Sequence, residues 1–135
     1  MSAIKLEPYI FFKGNCREVM EFYKSIFGGE LTLRTYGDVN AASEQTPAEY
    51  IMHAALDNGE ITIMASDTAQ ASEKAAKVTL SVGGTDEQKL RTIFDRLSED
   101  VTVTYPLKKE FWGDIFGNLT DKFGVEWMVN ITADK

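Results

Sequence analysis

A short strand, an amphipathic helix and three further strands run through this chain twice, and a duplicated unit of that kind admits few folds. In the first copy the aromatic run Pro8-Tyr9-Ile10-Phe11-Phe12 reads as a strand, with its proline at the start, where a missing N–H is tolerated. Gly14-Asn15 ends it. Asn15 and Glu18 have the spacing of an N-cap and capping box, and Val19, Phe22, Tyr23, Ile26 and Phe27 recur at helical spacing until Gly28-Gly29 stops the helix. Leu31, Leu33 and Thr35 alternate as a second strand, residues 37–47 form a polar loop, and residues 50–56 and 61–64 make a hairpin around Asp57-Asn58-Gly59.

The second copy opens with alternating apolar residues over 78–82. Asp86 or Thr85 then caps a helix whose inner positions are Leu90, Ile93, Phe94 and Leu97, and Val101, Val103 and Tyr105 make the next strand. Superposing the copies puts Val19, Phe22, Tyr23 and Ile26 on Leu90, Ile93, Phe94 and Leu97. With one residue fewer in the turn, Leu31 and Leu33 fall on Val101 and Val103. Strands over 115–119 and 125–131, around Asp121-Lys122-Phe123-Gly124, close the unit. The stretch 67–77, rich in Ala, Ser, Thr, Gln and Lys, reads as an exposed connector. The expected fold class is α+β, a single domain over 1–135 of two βαβββ modules (1–66 and 78–135). Each module is a curved four-stranded mixed sheet with a helix on its convex side, leaving concave faces to form a cup. The competing arrangement, a ferredoxin-like dimeric α+β barrel, needs only one βαββαβ unit of fewer strands. Strand order does not follow from the pattern.

Composition narrows the class of function. With 14 Lys and Arg against 21 Asp and Glu, the 135-residue chain has a formal charge of −7 and no basic run, so its surface repels phosphate backbones and anionic lipid; nucleic acid and membrane are not expected partners. Cys16 is the only cysteine, which excludes an intrachain disulfide and a multi-cysteine zinc site and fits a reducing compartment. The first six residues lack the apolar core of a signal peptide, and no apolar stretch approaches the ~18 residues of a membrane span, so a cytoplasmic location is expected.

The element order, Gly14-Asn15-Cys16, Glu21-Phe22-Tyr23, Phe27-Gly28-Gly29-Glu30 and the long stretch from Phe111-Trp112-Gly113-Asp114 through Phe123-Gly124-Val125-Glu126-Trp127-Met128 carry a resemblance over nearly the whole chain. It is to the PhnB-like branch of the vicinal oxygen chelate superfamily, which includes glyoxalases, bleomycin-resistance proteins and extradiol dioxygenases. The resemblance implies a paired βαβββ fold, usually in a homodimer. It also implies a divalent metal held by His, Glu or Gln of the first and last strands of each module, acting as a Lewis acid on two substrate oxygens. Aligned on those landmarks, the ligand positions fall near Pro8, Ile63, Val78 and Met128, none of which binds a hard cation. One residue along lie Tyr9, Thr62 or Met64, Thr79, and Trp127 or Val129, a set no better suited. No metal and no other cofactor is therefore expected.

His53 is the sole imidazole, so one chain cannot supply a two-His-one-carboxylate site. It reads first as a partly buried strand histidine bonded to a neighbour, and second as a polar group in the cup that contacts ligand or acts as a general base. Glu49 and Glu126 are the nearest carboxylates by pattern, each read as a solvated edge residue. Cys16, at a helix start, is either a small capping-turn residue or a thiol activated by the helix N-terminus. Gly-x-Gly-x-x-Gly and Walker patterns are absent, and Gly28-Gly29 and Gly83-Gly84 read as turns. Phe111 and Trp112, before Gly113, are either a lid over the cup or a dimer anchor. By strand parity Phe12, Ile63, Leu80 and Met128 are expected to share the concave face, making it apolar.

The function expected from the sequence is binding of a small, apolar or aromatic organic ligand by a homodimeric protein, through Phe12, His53, Ile63, Leu80, Phe111, Trp112 and Met128. The alternative is a lyase, isomerase or dioxygenase of the same superfamily, metal-dependent or assisted by His53. No S-adenosylmethionine-binding glycine loop and no phosphonate-binding basic cluster is present.

Overall fold

The structure is a computed structural model that describes residues 6–68 and 78–132. The chain falls into two compact units, Met1–Lys74 and Ala75–Lys135. Most of the stretch read as a connector, residues 69–77, lies outside the described residues.

The first unit runs β1 (Tyr9–Phe12), α1 (Cys16–Phe27), β2 (Glu30–Thr35), a 3₁₀ turn (Gly37–Val39), β3 (Ile51–Asp57) and β4 (Thr62–Asp67). Its sheet has the order β1-β4-β3-β2, with β1 parallel to β4 and the other pairs antiparallel. The expected βαβββ order is thus present, and the strand order left open by the pattern is fixed. Residues that pair across strands share a face, so Ile10, Phe12, Leu31, Leu33, Ala54, Leu56, Ile63, Ala65 and Asp67 lie on one side. That side meets α1, whose Cys16, Val19, Met20, Tyr23 and Phe27 are buried. Phe22 and Ile26 sit at the margin of this stripe, half-buried, and Cys16 and Met20 take the inner positions instead.

The capping expected of Asn15 and Glu18 does not form. Asn15 stands at the N-cap position, but its side chain makes no capping bond. The buried Asp67 does this work from the end of β4: Oδ1 accepts from the Gly14 and Cys16 amides at 2.8 and 2.9 Å, and Oδ2 accepts from the Ile51 amide at 2.9 Å. A carboxylate carried in from a distant strand satisfies the helix's orphan donors as well as a local cap, with the macrodipole in its favour. The Asp57-Asn58-Gly59 hairpin forms as expected. Asp57 accepts from the Gly59 amide at 2.8 Å, and the Asn58 amide group reaches the Phe27 carbonyl at 3.1 Å, tying the turn to the end of α1. Gly29 (φ +99°) packs so closely there that a Cβ would lie 2.6 Å from the Asp57 carbonyl oxygen.

The second unit runs β5 (Leu80–Gly84), α2 (Glu87–Leu97), β6 (Tyr105–Lys109), β7 (Ile115–Thr120) and β8 (Glu126–Ile131), with the sheet order β5-β8-β7-β6. Asp86 caps α2 by accepting from the Lys89 amide at 3.1 Å, and Leu90, Ile93, Phe94 and Leu97 are all buried. Two expectations need correcting. Gly83 and Gly84 are not a turn but the end of β5, paired with Asn130 and Ile131. The strand expected at Val101, Val103 and Tyr105 begins only at Tyr105. The chain first closes α2 with a Val101 amide to Ser98 carbonyl bond, and Asp100 takes a left-handed φ of 63°. Pro106 lies in β6, an edge strand, where its missing N–H breaks the register between Tyr105 and Lys108. Gly117 of β7 makes room for that irregularity; a Cβ there would lie 2.9 Å from the Tyr105 carbonyl oxygen and 3.0 Å from the Phe94 ring.

Candidate functional site

In the first unit the face opposite α1 carries Tyr9, Phe11, Thr32, Arg34, His53, Ala55 and Met64. β3 carries one extra residue, Met52, because Arg34 pairs with His53 but Thr35 pairs with Ile51, and this bulge brings Met52 to the same region. A cavity of about 490 Å³ is lined by Tyr9, Thr32, Leu33, Arg34, Met52 and His53.

The aromatic rings on this face are arranged rather than scattered. Tyr9 and Phe11 stack at 5.1 Å with 30° between planes, and the Tyr9 ring lies 5.7 Å from that of His53. The Tyr9 hydroxyl is 3.0 Å from His53 Nδ1. Burial pushes the Tyr9 phenol above its ordinary value, against the smaller lowering effect of the Ser66 hydroxyl, so at neutral pH it keeps its proton. The contact engages Nδ1 and leaves Nε2 as the ring nitrogen without this partner. Phe11 is 55% exposed and Tyr9 38%, a large apolar area for a module with a well-formed core beneath it.

Phe12 and Ile63 are not on this face. Both lie under α1, 7% and 1% exposed, where their rings and branches fill the core. Leu80 likewise pairs with the buried Trp127 on the α2 side of the second sheet. Met128 alone of the four expected concave-face residues faces away from the helix, paired with Ser81 and Asn118. In a segment such as Tyr9-Ile10-Phe11-Phe12, apolar on both faces, alternation does not say which side is inward.

Phe111 and Trp112 occupy the β6–β7 hairpin loop, closed by Glu110 amide to Asp114 carbonyl and Gly113 amide to Glu110 carbonyl bonds of 2.8 and 2.9 Å. They are 97% and 51% exposed and meet edge to face at 5.0 Å. Trp112 continues onto Phe116, and Phe116 onto Tyr105. Tyr105 donates to the Glu110 carboxylate, which holds its phenol above the ordinary value. Glu49 is exposed, and Glu126 accepts from the Thr79 hydroxyl at 3.5 Å.

The positions that the resemblance assigns to a metal do not fit one. Pro8, Ile63, Val78 and Met128 offer no imidazole or carboxylate, and one residue along, Tyr9 and Met64, paired on the first sheet, offer a phenol and a thioether. Among the described residues no three His, Cys, Asp or Glu side chains come together. Cys16 is wholly buried, and its thiol is pushed up to about 12, by burial first and the Asp67 carboxylate second. That is opposite to the activation expected of a nucleophile at a helix start.

Sequence reasoning singled out His53 but missed Tyr9, Arg34 and Met52 as its neighbours. The signal available was the strict Leu31, Leu33 against Thr32, Arg34 alternation of β2, which sets the parity of the whole sheet once the hairpin is registered.

Residues 5–129 match the description of the Glyoxalase/Bleomycin resistance protein/Dioxygenase superfamily. Protein YjdN of Escherichia coli (strain K12) is 31% identical over 143 residues, covering 96% of this chain and 97% of that protein. The crystal structure of protein PA1353 from Pseudomonas aeruginosa is similar with a TM-score of 0.86 at 35% identity, over 98% of this chain and all (100%) of that one. A PhnB protein from Bacillus cereus is similar in fold, with a TM-score of 0.77 at 23% identity, over 96% of this chain and 100% of that chain.

Proposed function

The chain belongs to the Glyoxalase/Bleomycin resistance protein/Dioxygenase superfamily, and on that fold we propose that it binds a small organic molecule with an apolar or aromatic body on the open face of its first module. The observation that carries the reading is the stacked Tyr9–Phe11 pair, exposed beside a cavity of about 490 Å³ and joined to His53 by a hydrogen bond. Rings held in place by stacking lose little entropy when a planar ligand is laid on them, and the cavity has the size of an ordinary small-molecule site. The proposal includes the cytoplasmic homodimer expected from the composition and the resemblance, with the exposed Phe111 and Trp112 as the contact.

The test is a fluorescence titration with N-phenyl-1-naphthylamine, a neutral two-ring probe whose emission rises in apolar surroundings. The native chain should bind it, and Tyr9→Ser or Phe11→Ser should weaken binding about tenfold, the ~1.4 kcal/mol that one lost ring contact is worth. Affinity unchanged in both variants would remove the first module's face from consideration.

A further inference from the structure

We infer that the molecule taken by this face is an organic anion: a ring-bearing body on Tyr9, Phe11 and Met52, and an acidic group held by Arg34 beside His53. This rests on the binding reading above and names the ligand class. Arg34 and His53 are direct cross-strand partners on the open face, and both line the cavity. Side chains so placed start about 5 Å apart. Because His53 Nδ1 is engaged by the Tyr9 hydroxyl, Nε2 is the ring nitrogen left for a ligand, a donor in the tautomer an acidic group selects, and the guanidinium supplies only donors. Two convergent donors, one permanently charged, recognise an acidic oxygen pair better than any neutral head group.

The charges around them leave that role open. Asp38, four residues after Arg34, is engaged in a reciprocal box. Its Oδ2 accepts from the Thr35 amide at 2.9 Å, and its own amide donates to Thr35 Oγ1 at 3.1 Å. These Thr35 bonds, and to a smaller degree the field of Arg34, hold the Asp38 carboxyl below its ordinary value. Among the described residues no ion pair joins Arg34 to any carboxylate. The other acids on this face, Glu30 and Asp57, oppose each other at the far end of β2 and β3. The chain as a whole carries −7 and repels anions. A preference for an anionic ligand therefore has to come from a local site, and Arg34 with His53 is the pair that lines the cavity.

Two probes with one ring system separate this from the reading beneath it: neutral N-phenyl-1-naphthylamine and its sulfonated relative 8-anilinonaphthalene-1-sulfonate. The native chain should bind the sulfonate about tenfold more tightly than the neutral probe. Arg34→Gln should abolish that preference, bringing the affinity for the sulfonate down to that for the neutral probe, with the melting temperature unchanged, since Arg34 is exposed. Equal affinities in the native chain, or a preference that survives Arg34→Gln, would overturn the anion inference and leave the apolar site standing. No binding of the neutral probe at all would overturn the binding reading itself.

Discussion

Cys16 shows how far one side chain's surroundings decide its chemistry. It begins a helix, where a thiol is usually acidified, yet it is wholly buried beside the Asp67 carboxylate and its pKa rises from 9.0 to about 12. The folded state therefore holds this proton more tightly than the unfolded chain. The stability it contributes is whole below pH 9, and is lost as pH climbs toward about 12. Cys16→Ala should flatten the alkaline limb of a stability-against-pH curve measured by urea unfolding, and the native thiol should resist a disulfide reagent at pH 8 until the chain is unfolded. An unchanged alkaline slope would mean the thiol is not the titrating group. Single residues were legible where chemistry is scarce: the sole cysteine and sole histidine stood out at once. They were not legible where chemistry is common. Phe12 and Tyr9 look alike in the sequence, and only the pairing of β1 with β4 puts one under the helix and the other on the open face.

At the scale of elements, each module is fastened by one buried aspartate. Asp67 gathers the amides of Gly14, Cys16 and Ile51, joining the start of α1 and the start of β3 to the end of β4. Asp121 does the corresponding work in the β7–β8 turn, accepting from the Phe123 and Val125 amides and from Trp127 Nε1 at 2.9, 3.0 and 2.9 Å. The Asp121-Lys122-Phe123-Gly124-Val125-Glu126-Trp127 stretch that carries much of the family resemblance is thus a folding device, with Gly124 at φ +90° in its turn. Asp67→Ala should destabilise the chain by about 2–4 kcal/mol in urea unfolding, because three buried amides lose their acceptor at once. A loss under about 0.5 kcal/mol would show that water or Asn15 replaces the carboxylate. The helices, the Asp57-Asn58-Gly59 hairpin and the Asp86 cap could be read from local pattern because local bonds make them. The Asp67 cap could not, since its partners are 51–53 positions away for the helix and 16 for β3. The start of β6 was misplaced because Val101 and Val103 alternate like a strand while Asp100 turns the chain.

For the whole molecule, the repeated βαβββ order was the durable signal, since it depends on many residues at once and survives local errors such as the four-position misplacement of the start of β6. It placed the chain in its superfamily without placing a site, because a fold carries many activities. The methionines can report which surface holds the ligand. Met52 lines the cavity and Met64 lies on the same open face, Met20 of α1 is buried against the other face of that sheet, and Met128 is on the open face of the second sheet. Methyl-detected NMR of methionine-labelled protein during titration with N-phenyl-1-naphthylamine should shift the Met52 and Met64 signals and leave Met20 and Met128 in place. A titration that moves Met128 while Met52 and Met64 stay fixed would contradict the account.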